Sequence, residues 1–120
     1  MMTMFLFTHL FCTVSADTLV WNKSLVVNTW SELGCEQDQI VVSLSKKVTI
    51  KLWAGDEYGW LNQYLYWSID NDKLLLREDK KKNSALVETW TLKNIEQSTL
   101  TIERHNLDGV ARETQLQKCL

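Results

Sequence analysis

From residue 40 onward, apolar side chains recur at every second position, and no other feature of the chain restricts its fold as much. Ile40, Val42 and Leu44 alternate with Val41 and Ser43, and Val48, Ile50 and Leu52 with Thr49 and Lys51. Leu65, Trp67 and Ile69 alternate with Tyr66 and Ser68, while Leu74 and Leu76 flank Leu75. Leu86, Trp90 and Leu92 share a face that Glu88 interrupts, and Leu100 and Ile102 sit between Thr99, Thr101 and Glu103. Val110, Thr114 and Leu116 form a weaker last run, expected at an edge. Side chains two apart share a face in a strand, whereas a helix needs spacings of three and four. The breaks carry turn chemistry at Asp70-Asn71-Asp72, Asn94 to Gln97 and Asn106 to Gly109. About seven short strands at roughly ten-residue spacing predict an all-β sandwich or small barrel. A parallel α/β fold is excluded, since no helix-length segment separates the strands.

The first residues stand apart. Met1 to Phe11 is apolar except for Thr3, Thr8 and His9, and Val14-Ser15-Ala16 places small residues where a signal peptidase cuts. The run is too short to span a bilayer. The expectation is a signal peptide over 1–16 and a single all-β domain over 17–120, secreted or delivered to a lumenal or periplasmic space.

Cleavage there removes Cys12 and leaves Cys35 and Cys119. In an oxidising compartment the simplest use of two cysteines is one disulfide. Metal binding is the competing use, but only His105 remains among imidazoles and no C-x-x-C pair is present. Asn22-Lys23-Ser24 is a glycosylation sequon, so Asn22 is a candidate site if the source is a eukaryote and the residue is exposed.

Charge narrows the partners. Thirteen Lys and Arg against fifteen Asp and Glu give a net charge of −2. Nucleic-acid binding would need a basic excess to displace counterions, so no nucleic-acid partner is expected. Six Trp in 120 residues is a large aromatic content, while the lack of any Pro excludes a Pro-rich linker. The run Lys80-Lys81-Lys82 fits a solvated hairpin tip.

An enzyme needs convergent polar groups. His105 has no Ser or Cys nucleophile evident beside it once both cysteines are bonded. The carboxylate pairs Asp56/Glu57 and Glu78/Asp79 are adjacent, and neighbours on a strand point to opposite faces. No Gly-rich phosphate loop and no metal-ligand spacing is present, so neither enzyme activity nor a cofactor is expected.

The segment Trp53 to Leu61, with Gly55, Asp56, Glu57, Tyr58, Gly59 and Trp60, reads as a loop between two apolar runs that carries three bulky rings. Exposed rings on a scaffolded loop bury much area at low entropic cost, which suits contact with a protein. The competing expectation is that they fold back and plug the end of the core. A second loop, Arg104 to Gly109, could lie at the same end, or be an ordinary hairpin turn with Gly109 at positive φ.

The order Val42 to Leu52, the Gly/aromatic loop, Tyr66-Trp67, Leu74 to Leu76, Glu88 to Lys93 and Ser98 to Arg104 resembles chagasin-type inhibitors of cysteine peptidases. The similarity spans residues 38–118 at the level of strand order. Gly59 and Trp60 stand where that family has a Gly followed by an aromatic. Arg104, His105 and Asn106 stand at its last loop. The resemblance implies an immunoglobulin-like antiparallel sandwich of about seven strands, acting as a monomer. Its loops would form a wedge in the cleft of a papain-like cysteine peptidase, with Gly59 and Trp60 at the centre and Arg104 with His105 at the flank. The same strand count, with Tyr66 to Leu74 and a Lys-Cys ending, is also similar to small lipocalin-like meander barrels. These bind apolar ligands inside, and Asn28-Thr29-Trp30 is the nearest match to their first-strand G-x-W. A secreted surface or adhesion module is the third expectation.

Overall fold

The computed structural model describes residues 19–81 and 83–120. The segment expected to be a signal peptide, and Lys82 of the lysine run, lie outside the described residues. A four-residue helix, α1 (Lys23–Val26), precedes eight strands: β1 (Thr29–Ser31), β2 (Asp38–Val42), β3 (Lys47–Trp53), β4 (Trp60–Asp70), β5 (Lys73–Arg77), β6 (Leu86–Ile95), β7 (Thr99–Asn106) and β8 (Ala111–Lys118). Each strand pairs antiparallel with the next, and β1 pairs with β8, so the sheet closes on itself as an up-and-down barrel.

All seven strands expected from the alternation are present, but they do not separate into the two sheets of a sandwich. The difference is β1, which has no alternating run to betray it: its three residues are one Trp between Thr and Ser. Trp30 pairs with Ile40 on one side and Lys118 on the other, and Ser31 pairs with Gln117. This short bridge converts an open meander into a barrel, the alternative architecture. Nor is β8 an edge, since closure leaves no terminal strand. Asn94 and Ile95 belong to β6, which continues past a register shift to a turn at 96–98.

Inward-facing residues fill the interior. Val48, Leu65, Trp67, Leu74, Leu76, Trp90, Leu92, Leu100, Ile102 and Leu116 are all at most 3 % exposed. The chain before β1 plugs one end with Trp21 and Val26. Asn22 holds this plug by capping α1, its Oδ1 accepting from Leu25 N–H at 2.9 Å and from the Ser24 hydroxyl at 2.8 Å. Buried indoles need acceptors for their N–H, and three find a carbonyl: Trp21 donates to Trp90 O at 3.0 Å, Trp30 to Val26 O, and Trp67 to Ser43 O at 2.9 Å. Trp90 donates instead to the Glu88 carboxylate.

Cys35 and Cys119 form the expected disulfide across a sequence separation of 84. It lies beside the β1/β8 seam, where only two residue pairs hold the barrel shut. Cys119 N–H also donates to Thr29 O at 2.8 Å.

Candidate functional site

Strand direction alternates around the barrel, so the β1–β2, β3–β4, β5–β6 and β7–β8 connections all leave the end opposite α1. The two loops singled out in the sequence share that end, on opposite sides of its rim. They differ in what they offer.

The β3–β4 connection is a projecting hairpin. Trp53 pairs with Trp60 and Leu52 with Leu61, while Tyr66 is the first β4 residue that pairs with β5. The hairpin therefore outruns its neighbour. Its turn closes through Ala54 N–H to Gly59 O at 2.9 Å and Gly59 N–H to Gly55 O at 2.8 Å. Gly55 and Gly59 have φ of 95° and 67°, values that tolerate no ordinary side chain without strain. Trp53 and Trp60 meet edge to face on the outer side, centroids 5.3 Å apart, with the Lys51 ammonium 5.1 Å from the Trp60 ring. Leu52 and Leu61 pair on the inner side. Tyr58 is 69 % exposed, and Asp56 and Glu57 are exposed at the tip. The rings do not fold back into the core. They stay on the surface.

The second loop behaves otherwise. Arg104, His105 and Asn106 are the last residues of β7, not loop residues. Arg104 turns into the barrel mouth, where Nε meets Glu88 Oε1 at 2.8 Å and Nη1 meets Glu32 Oε1 at 3.1 Å. Arg112, its cross-strand neighbour, reaches Glu32 Oε2 at 2.7 Å. The guanidinium of Arg104 lies 5.6 Å over the Trp90 ring. Four charges thus neutralise one another as a lid on the apolar interior, and Arg104 is not a free contact residue. Asn106 Oδ1 accepts from Asp108 and Val110 N–H, which shapes the turn. His105 faces outward, its Nε2 3.5 Å from the Glu103 carboxylate. The bond to Glu32 raises the Arg112 pKa further above its ordinary value.

Sequence reasoning missed Glu32 and Arg112, which lie 80 positions apart and carry no local signal of each other. Glu88 did leave a trace, since a carboxylate on an otherwise apolar strand face requires a buried partner. On the outer face of β4 and β5 lies an open groove of about 590 Å³ whose lining includes Lys46, Tyr66, Arg77, Asp79 and Lys80. Asn22 is exposed, as a modified sequon must be. Among the described residues no helix is long and apolar enough to cross a membrane.

Comparison with known proteins finds no matching family model, no matching curated protein and no matching solved structure.

Proposed function

We propose that this chain is a secreted, non-enzymatic binding protein that engages a protein partner through the β3–β4 hairpin. The observation that carries this reading is the exposure of Leu52, Trp53, Tyr58 and Leu61 on a rigid turn held by two positive-φ glycines. Preordered aromatic residues lose little entropy on burial, which is the usual make-up of an interface hot spot. The partner class suggested by the sequence resemblance is a papain-like cysteine peptidase, and a projecting hairpin suits a cleft. Here the wedge would be the hairpin alone, because Arg104 is engaged inside the mouth. The test is inhibition of papain by the purified domain. Reversible inhibition should weaken on the order of 100-fold in the Gly59→Ala/Trp60→Ala double variant. No inhibition at micromolar concentration would remove the peptidase from the proposal, and inhibition indifferent to that change would remove the hairpin as its site.

The closed meander barrel favours a second reading, an apolar ligand held inside. Four Trp and a continuous set of Leu, Ile and Val side chains occupy that space, and the charged lid covers it. A ligand would have to displace them, so the hairpin reading stands first. Saturable quenching of Trp fluorescence by a fatty acid, unchanged by the hairpin variant, would reverse that order.

A further inference from the structure

The end of the barrel that carries α1 holds a feature unrelated to the hairpin. An open shelf of about 590 Å³ is lined there by Asn22, Lys23, Ser24, Val27 and Leu44, a volume far beyond the needs of a bound water or ion. Its apolar part comes from Val27, half-buried at the end of α1, and from Leu44 in the β2–β3 turn, which is 66 % exposed. The rest of the lining is the sequon itself. Asn22 uses only one side of its amide in the fold. Its Oδ1 accepts from Leu25 N–H and the Ser24 hydroxyl, while Nδ2 donates to none of the described residues. A substituent on Nδ2 therefore leaves the cap of α1 intact.

We propose that Asn22 carries an N-linked glycan whose first sugar lies on this shelf and clamps the plug to the β2–β3 turn. This rests on the secreted part of the reading above, not on the peptidase part. In the transfer, Asn22 Nδ2 loses one proton and bonds to the anomeric carbon of an oligosaccharide held on a lipid pyrophosphate. The bond from that carbon to the pyrophosphate oxygen breaks, the lipid pyrophosphate leaves, and nothing is oxidised or reduced. Ser24 supplies the hydroxyl that the acceptor pattern requires, and Lys23 is a permitted middle residue. Attachment then selects the seat. The covalent bond holds the sugar beside the shelf, so settling on it costs little further freedom. A pyranose ring has a face of C–H groups that can cover Val27 and Leu44 while its hydroxyls stay in water. Asn22 belongs to the plug and Leu44 to a strand turn. A sugar touching both resists the lifting of Trp21 and Val26 out of the barrel end.

The test is secretion of the domain from mammalian cells, with mannose trimming blocked, behind a heterologous signal sequence. That choice keeps a failure of its own leader distinct from a failure of the site. Mass spectrometry should find one glycan, at Asn22, lost in Ser24→Ala and kept in Ser24→Thr. An endoglycosidase then trims it to a single N-acetylglucosamine, and an amidase removes it whole and leaves Asn22→Asp, which caps α1 as well as Asn does. The single-sugar form should melt about 4 °C above the sugar-free form. Its Val26 and Val27 amide protons, which close α1 onto Asn22 and Lys23, should exchange on the order of fivefold more slowly. Both differences should vanish in Leu44→Ser, a change at an exposed position that the fold tolerates. An unmodified Asn22 overturns the proposal. Equal melting of the two forms, or a difference that survives Leu44→Ser, overturns the seat of the sugar. Papain inhibition belongs to the opposite end and should be the same in both forms, so the two readings fail separately.

Discussion

Thr114 sits on the inner face of β8 between Arg112 and Leu116, 4 % exposed, and its hydroxyl has no hydrogen-bond partner. A buried hydroxyl left unpaired costs stability, and Val has nearly its shape. Thr114→Val should therefore raise the unfolding free energy by about 1 kcal/mol, read from the midpoint of a urea titration at unchanged slope. Arg104, 16 % exposed and paired with two carboxylates, should respond in the opposite sense. Arg104→Met leaves Glu88 without its cation while Glu32 keeps Arg112, and a loss of about 2–3 kcal/mol is expected, below the cost at a fully buried pair because the mouth admits some water. Arg112 adds no pH dependence near neutrality. Its pKa is raised in the folded state, so its contribution is complete below the ordinary arginine value and is lost only above it. Glu88 is the residue at which the sequence half disclosed the mouth: it broke an apolar face, but its partner Arg104 lay sixteen positions away.

At the scale of elements, hairpins were legible and closure was not. The turn at Asn71 needs φ of 58°, which Asn tolerates, and Asp70-Asn71-Asp72 announced it. Gly55 and Gly59 likewise marked the β3–β4 turn, and Trp53 and Trp60 do bracket it. Gly59→Ala meets no atom within 4 Å, so its whole cost is the φ of 67°. A loss of about 1 kcal/mol is expected by thermal unfolding, with the barrel circular dichroism retained. A larger loss would mean the turn contributes packing as well as conformation. β1 escaped detection for a physical reason. Three residues cannot display a period of two, and what makes them a strand is the backbone of β2 and β8 on either side.

For the whole molecule, the disulfide and the β1/β8 seam act together. The bridge closes 84 positions of chain beside a ladder of only two residue pairs, so reduction both frees the unfolded chain and loosens closure. Cys35→Ser/Cys119→Ser should lower stability by roughly 4–5 kcal/mol on the loop-entropy estimate, with the largest gain in amide exchange at Thr29 to Ser31 and Gln117 to Cys119. Uniform exchange across all eight strands would instead place the effect wholly in the unfolded state. The residue pattern by itself determined strand content, the faces that point inward and the main turns, because each depends on local periodicity, and it pointed to the Cys35–Cys119 pair once Cys12 was set aside with the expected signal peptide. Only the tertiary structure decided between sandwich and barrel, buried Arg104 in the mouth, and left one side of β4 open. Those outcomes depend on which strands meet after the chain has turned, and a period of two is the same whichever neighbour a strand finds.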